Sequence, residues 1–102
     1  MRPIHVVHLD KSRPALVLTR EMAAQRMDKV TIAPLTSTVK GLVSEVAVGR
    51  RNGLDRDCVV SCDNITTVPK ALLGKQLGFL FDDQEAELAL AIERAFDLHG
   101  RG

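Results

Sequence analysis

The sequence predicts a mainly β domain, built as a barrel, that ends in a single C-terminal helix. Short apolar or β-branched runs recur along the chain, turn residues separate them, and only the C-terminal segment shows a helical period. Short strands at such spacing are typical of a β-barrel. A chain of 102 residues has the length of one domain, so 1–102 is treated as a single unit.

Three strands are predicted in the first part of the chain. In order, the predicted elements are a strand at 4–9, a strand at 14–19, one or two helical turns within 21–27, and a strand at 30–33. The tight connection 10–12 predicts a β-hairpin between the first two strands. The third strand is expected to end at Pro34, because proline lacks the amide donor of a sheet ladder.

The middle of the chain continues the pattern. The predicted elements are a strand at 45–48, a turn at 50–55, a buried strand at 58–62, an extended segment at 65–68, a helical turn at 69–73 and a last strand at 74–80. The Asn52-Gly53 pair has the chemistry of a tight turn. Asp63-Asn64 is expected to break the buried strand.

The C-terminal segment predicts one amphipathic helix. Asp82 is its expected N-cap, with Glu85 at the third position and Gly100 as the stop signal. Acidic residues fall in the first turns, where the helix dipole favours them. The predicted buried face consists of Leu88, Ala91, Ile92, Ala95 and Phe96.

Composition excludes several classes of protein. No run reaches the roughly 18 apolar residues of a membrane span, and the N-terminus lacks a secretory pattern, so no membrane association and a cytoplasmic location are expected. An extended strand would hold Cys58 and Cys62 about 13 Å apart, too far for a disulfide. Both are therefore predicted to be buried, reduced thiols. The three histidines are not clustered, so neither a metal site nor a cofactor is predicted.

Charge is unevenly distributed along the chain. The net charge is only +1, yet residues 1–56 carry +5 and residues 57–102 carry −4. A basic half suits a polyanionic partner. The alternative is that solvated faces differ in sign for no functional reason.

Four strings, taken in order, carry a resemblance to a known family. They are RPALVL at 13–18, PLTSTVKGL at 34–42, SEV at 44–46 and LDRDCVVSCDNI at 54–65. Together they resemble the MazF/PemK toxins, the ribosome-independent endoribonucleases of toxin–antitoxin modules. The resemblance runs nearly end to end. It implies an SH3-like β-barrel with a terminal helix, the MazF/PemK/CcdB-like fold, usually assembled as a homodimer.

One segment departs from the family pattern. Typical members have a longer Gly-rich segment before the Arg-Pro pair, whereas this chain has only Asp10-Lys11-Ser12. Neither a cleavage sequence nor an acidic catalytic group of that segment is carried over from the family.

The resemblance implies metal-independent cleavage of single-stranded RNA by the ribose 2′-hydroxyl, leaving a 2′,3′-cyclic phosphate and a 5′-hydroxyl. Arg13 matches the family's catalytic arginine, whose planar guanidinium can stabilise charge on the phosphorane. Thr36 matches the active-site threonine and is expected to orient the attacking hydroxyl. The residues alone leave alternatives open: Arg13 pairs with Asp10 or Asp63, and Thr36 makes local turn contacts.

No general base is identified, since arginine is a poor base and His5 and His8 are interpreted as structural. The predicted RNA-binding residues are Lys11, Ser37, Thr38, Lys40, Asp63 and Asn64. For Ser37 and Thr38, as for Lys40, Asp63 and Asn64, local turn contacts are the alternative. The three phenylalanines, Phe79, Phe81 and Phe96, are expected in the core, so recognition should depend on hydrogen bonds.

The implied partners are single-stranded RNA, mainly messenger with ribosomal or transfer RNA as alternatives, and a cognate MazE-like antitoxin. That antitoxin is expected to be acidic and partly disordered, and to cover the basic groove. A CcdB-like toxin, which binds DNA gyrase without catalysis, is the rival interpretation because it shares the barrel. An RNA-binding relic without activity is a third.

Overall fold

The computed structural model describes residues 1–98 as a curled β-sheet with one long helix packed against it. The strands are β1 (Arg2–His8), β2 (Ser12–Val17), β3 (Lys29–Thr36), β4 (Glu45–Val48), β5 (Cys58–Ser61), β6 (Thr66–Pro69) and β7 (Leu73–Leu80). The helices are α1 (Glu21–Ala24) and α2 (Asp82–Ala95). Single 3-10 turns occupy Arg50–Asn52, Cys62–Asn64 and Lys70–Leu72. The predicted mainly β fold with a C-terminal helix is confirmed.

Antiparallel pairing gives the order β4-β5-β3-β2-β1-β7, with β6 also on β3. β3 is the central strand, because its first half pairs with β6 and its last two residues pair with β5 along the same edge. This change of partner lets the sheet curl into a half-barrel. β4, β6 and β7 each pair with a single strand among residues 1–98.

Pro34 does not end the third strand, contrary to the prediction. Leu18 N donates to Thr31 O at 2.8 Å, so odd-numbered residues of β3 direct their backbone polar groups towards β2. Pro34 therefore directs its nitrogen towards the opposite edge. On that edge β6 reaches only to Ile32 and β5 begins at Leu35, so the missing donor leaves no ladder bond unmade.

Two apolar clusters make up the core. The larger one lies between the sheet and α2 and includes Leu16, Val60, Leu80 and Leu88, each at most 2% exposed. The smaller one lies beside the paired strands β3 and β6. It is formed by Val7, Ala15, Val17, Val30, Ile32 and Val68. Burying such side chains is the main favourable term in folding.

The start of α2 differs from the prediction. Phe81, not Asp82, is the N-cap residue, and its backbone N–H donates to Gln84 Oε1 at 3.0 Å. Gln84 is buried and also accepts from Asn52 Nδ2 at 2.8 Å. The helix begins where it does because this buried amide side chain must be satisfied. No pattern of apolar residues could indicate that.

The predicted apolar face of α2 is mostly confirmed. Leu88 and Ala91 are buried, and Ile92 and Ala95 are half-buried against the larger cluster. The prediction for Phe96 is wrong, because this residue lies just after the helix and its side chain is 55% exposed. Gly100, the expected stop signal, lies outside the described residues. Within residues 1–98, no helix combines the length and apolar character needed to cross a membrane.

The other phenylalanines also depart from the core prediction. Phe79 is exposed on β7. Phe81 is half-buried, and the guanidinium carbon of Arg51 lies 4.7 Å from the centre of its ring. Both aromatic rings thus contribute to the surface of the protein.

Both cysteines are buried free thiols, as the apolar stretch predicts. Burial, and then the charge of Asp63, raises the pKa of the Cys62 thiol to about 11. Cys62 also ties two segments together, since its backbone N–H donates to Ser44 O at 3.1 Å. It forms part of the core beneath the segment that carries Asp63.

Candidate active site

Sheet register brings the two predicted catalytic residues together. β2 and β3 pair as Ala15 with Pro34 and Leu16 with Ala33. Continued by two residues, this register sets Arg13 across from Thr36. Arg13 is the second residue of the hairpin strand β2, and Thr36 is the last residue of the central strand. Both therefore lie at the same end of the sheet, although 23 positions separate them in the chain.

An open cavity of about 770 Å³, called the site cavity, lies at this end. Its lining includes Arg13 and Thr36 and four of the six predicted RNA-binding residues. The complete lining is Leu9, Asp10, Arg13, Pro34, Leu35, Thr36, Thr38, Lys40, Leu42, Glu45, Ser61, Asp63 and Asn64. Residues from all four of the sequence strings described above thus converge on one space.

Arg13 is exposed at the mouth of the cavity and lies opposite Val7 in the β1–β2 hairpin. The ion pairs found within residues 1–98 involve the N-terminal amine, Arg2 and Arg51, and none involves Arg13. The alternative in which Arg13 pairs with Asp10 or Asp63 is therefore not what the structure shows. Its guanidinium is available to an anionic ligand.

Thr36 does make the local turn contact that was considered as an alternative. Its Oγ1 accepts a hydrogen bond from the backbone N–H of Thr38 at 3.1 Å. Because the oxygen acts as acceptor in this contact, its own proton is free to be donated elsewhere. The turn contact thus fixes the hydroxyl and leaves its donor available within the cavity.

The segment 37–44, here called the site loop, joins β3 to β4 and borders the cavity. Glu45 holds it: one carboxylate oxygen accepts from Lys40 N at 3.3 Å and the other accepts from Leu42 N at 3.1 Å. Gly41, with φ of 73°, makes the bend between them. Ser44, at the end of the loop, is buried and donates from its hydroxyl to Asp63 Oδ2.

Asp63 and Asn64 lie in the 3-10 turn after β5, as the predicted break requires. Asn64 Nδ2 donates to Ser61 Oγ at 2.7 Å, so its amide oxygen stays open to the cavity side. Both residues are exposed. Each residue makes a turn contact and still has free hydrogen-bonding atoms. A role in the turn is therefore compatible with a role in binding RNA.

Two of the predicted RNA-binding residues lie outside the site cavity. Lys11 belongs to the exposed connection between β1 and β2, where its backbone N–H donates to Asp10 Oδ1 at 3.0 Å. Ser37 follows Thr36 and lines a neighbouring cavity instead. Successive residues of an extended chain face opposite sides, so Ser37, the residue after Thr36, faces away from the site cavity.

The histidines also lie elsewhere. His5 Nδ1 is 3.0 Å from Gly74 O, and His8 Nδ1 is 2.8 Å from Ser12 Oγ. Neither lines the site cavity. Their contacts agree with the structural role predicted for them.

The lining of the site cavity is less basic than the positive charge of residues 1–56 suggested. It contains the cations Arg13 and Lys40 but also the carboxylates of Asp10, Glu45 and Asp63. Sequence reasoning missed Asp10 and Glu45 as lining residues. The position of Asp10, three residues before the Arg-Pro pair, was the available signal for the first. Within the described part of the chain, no three histidine, cysteine or acidic side chains are grouped to hold a metal ion.

Comparisons with known proteins agree with this geometry. Residues 5–96 match the family of PemK-like, MazF-like toxins of type II toxin–antitoxin systems. The chain is 54% identical over 98 residues to endoribonuclease MazF3 of Mycobacterium tuberculosis, which covers 96% of this chain and 95% of that protein.

Solved structures give the same result. The Mycobacterium tuberculosis toxin MazF-mt6 superposes with a TM-score of 0.94 at 52% identity, covering 97% of this chain and all of that one. A MazE-MazF structure from Deinococcus radiodurans superposes with a TM-score of 0.73 at 26% identity, covering 93% and 94% of the two chains. On sequence and on structure, this chain belongs to the PemK-like, MazF-like toxins of type II toxin–antitoxin systems.

Proposed function

We propose that the protein is a sequence-selective, metal-independent endoribonuclease that cleaves single-stranded RNA in the cytosol as the toxin of its module. The endoribonuclease class follows from the family and from the name of the relative that is 54% identical. One observation supports the cleavage chemistry above all others. An arginine that has no ion-pair partner among residues 1–98 and a threonine with a free hydroxyl proton line one open cavity.

In the proposed reaction, the ribose 2′-oxygen attacks the adjacent phosphorus, and the bond from phosphorus to the 5′-oxygen breaks. The products are a 2′,3′-cyclic phosphate and a 5′-hydroxyl, whose leaving oxygen takes its proton from solvent water in the open cavity. Negative charge grows on the phosphorane oxygens, where the guanidinium of Arg13 donates two parallel hydrogen bonds. Thr36 orients the attacking 2′-hydroxyl, because the proton that its own hydroxyl donates to a phosphate oxygen holds the phosphorus in line with that group.

The proton of the 2′-hydroxyl needs an acceptor in the same cavity. Glu45 is unsuited, because both of its oxygens accept backbone N–H groups. Asp10 and Asp63 each have one carboxylate oxygen in a hydrogen bond within the protein and the other open. These two carboxylates are the candidates for general base.

Base recognition is assigned to the polar groups around the turn after β5. The open amide oxygen of Asn64 and the free carboxylate oxygen of Asp63 can accept from exocyclic amino groups, while Thr38 offers a hydroxyl. Lys40 supplies a second cation for the RNA backbone. These contacts would select sequence through hydrogen bonds.

The partners follow from the same proposal. Residues 1–102 act as one toxin domain, and two copies form a homodimer. A cognate MazE-like antitoxin occupies the site and excludes RNA, as the existence of a MazE-MazF complex for a relative supports. Light scattering tests the dimer. Addition of the antitoxin should abolish cleavage.

The decisive experiment incubates the antitoxin-free protein with a mixed RNA pool in EDTA and maps the ends formed. We expect cuts at a short common sequence with 2′,3′-cyclic phosphate ends. Arg13→Ala should lower cleavage at least about a hundredfold without loss of fold, and Lys11→Ala, outside the cavity, should have a far smaller effect. Asp10→Asn and Asp63→Asn together identify the base, because only one of them should abolish the acidic limb of the pH profile, where activity rises as the general base loses its proton.

Intact RNA from folded wild-type protein would contradict the proposal. Inhibition of gyrase supercoiling would then support the CcdB-like alternative. Tight RNA binding without product would instead indicate an inactive relic.

A further inference from the structure

A second cavity, of about 490 Å³ and here called the flanking cavity, adjoins the site cavity. The two share Leu35 and Thr36, so they meet at the residue that we assign to the scissile phosphate. The flanking cavity has an apolar wall formed by Val6, Pro14, Leu54 and Leu77. Its polar lining consists of Ser37, Asp55 and Arg56 together with Thr36.

Arg56 belongs to the segment 49–57, here called the docked loop, which joins β4 to β5 and is fixed on β7. Gly53 has φ of 88° and lies so close to β7 that a Cβ there would overlap Leu77 O. Asn52 is fully buried, and its Nδ2 donates to Phe79 O at 2.8 Å. The backbone of the docked loop, which carries Arg56, is therefore held in place before any ligand arrives, and this reduces the entropy cost of binding.

The charge of Arg56 is not neutralised by an ion pair with any of the residues that the structure describes. Asp57, the acid next to it, lies against Gly49, where a Cβ would be only 2.9 Å from Asp57 Oδ1. Arg51 of the same loop differs, since it is paired in two hydrogen bonds with Asp83.

An RNA strand whose scissile phosphate lies at Thr36 continues from that phosphate in two directions. The site cavity receives one direction, and the flanking cavity lies on the other side of the same residue. Resting on the endoribonuclease function proposed above, we infer that the flanking cavity is a subsite for the next nucleotide, with Arg56 binding its phosphate. The apolar wall accepts the sugar or the base face, and Ser37 and Asp55 offer hydrogen bonds to the base edge.

The test compares Arg56→Ala with Arg50→Ala. Arg50 is an exposed arginine of the same loop that lines neither cavity and has no ion pair within residues 1–98, so it is a matched control. The substrate is an RNA oligonucleotide with one cleavage site, shortened stepwise from either end. We expect Arg56→Ala to raise KM about five- to tenfold with kcat unchanged, as for loss of a charged phosphate contact.

Truncation gives the critical comparison. The difference between wild type and Arg56→Ala should vanish when the RNA is shortened on one side of the cut and persist when it is shortened on the other. The slope of log KM against log salt should fall by about 0.7 in the variant, the value for one phosphate of a single strand. Arg56→Lys should recover part of the loss in KM.

Equal KM values for Arg56→Ala and Arg50→Ala on every substrate, with wild-type protein cleaving normally, would overturn this inference and leave the proposed function standing. A defect that persists after truncation on both sides would overturn it as well. Failure of the wild-type protein to cut any RNA would instead overturn the proposed function.

Discussion

The site loop and the docked loop border the same reaction centre, but they differ in how deeply they are anchored. The docked loop has a buried residue at its middle, whereas residues 37–43 of the site loop are exposed and only its last residue, Ser44, is buried. The docked loop has a fully buried asparagine and a close backbone contact to β7. The site loop is held by the two oxygens of Glu45 and exposes Val39, Leu42 and Val43 at 47% or more. Gly41 in that loop has no atom within 4 Å of a Cβ position.

The difference shows how one small site combines fixed and adaptable parts. A loop with buried contacts opens only at a cost close to that of unfolding, whereas a loop held by two surface hydrogen bonds opens cheaply. Arg56 is thus presented on a fixed support, and Lys40 on a segment that can adjust to RNA or to an antitoxin. The exposed apolar residues of the site loop suit the second role, since a partner can cover them.

The largest effect is expected from adding one carbon to the docked loop. Gly53→Ala should lower the free energy of unfolding by about 3 kcal/mol or more, because the new Cβ meets Leu77 O and φ is positive. Gly41→Ala shares the positive φ but has open space, so about 1 kcal/mol is expected. Urea unfolding measures both. Equal losses would contradict the contrast between the loops.

A somewhat smaller effect is expected at the buried amide. Asn52→Ala removes the bonds to Gly49 N–H and Phe79 O and leaves the side chain of Gln84 without that partner. We expect a loss of about 3 kcal/mol, since the remaining groups stay buried and unpaired. Asn64→Ala, an exposed residue with one bond to Ser61, should cost under about 1 kcal/mol. A loss at Asn64 as large as that at Asn52 would refute this ranking.

The thiol beneath the site predicts a loss of stability in alkali. Cys62 is fully buried, and its pKa is raised to about 11. In the unfolded chain a thiol ionises near pH 8.5, so its contribution is complete below that pH and is lost as pH rises to about 11. The loss should be on the order of 2 kcal/mol. Urea unfolding at pH 8 to 10.5 should show a steeper decline for wild type than for Cys62→Ala; parallel declines would exclude this role.

The smallest effect concerns the clamp of the site loop. Glu45→Gln replaces one acceptor oxygen with an amide group, so one of the bonds to Lys40 N and Leu42 N is lost. Hydrogen exchange at these two amides should accelerate about fivefold, equivalent to about 1 kcal/mol. Exchange at Asn52 and Gly53 in the docked loop serves as the control and should not change. Equal acceleration in both loops would mean that they open together.

Patterns of residue type predicted the elements, and polar contacts between distant residues decided the rest. The strands, the C-terminal helix and the pairing of Arg13 with Thr36 followed from apolar periodicity and recognisable strings. The start of α2 did not, because it depends on a bond between Gln84 and a loop 32 residues earlier. The continuation of β3 through Pro34 needed the positions of two partner strands. In the site, Asp10 and Glu45 became visible only when the cavity was formed.

The proline in β3 also affects the tendency of the chain to aggregate when many copies are synthesised. Between β6 and β5 the central strand has a short stretch of edge at 33–34 without a partner. Unpaired edges invite strands of other molecules and so promote aggregation. A foreign strand arriving here would find the nitrogen of Pro34 without a hydrogen to give. Newly synthesised copies that lie close together on one polysome therefore cannot pair with one another's strands at this point in the middle of the sheet.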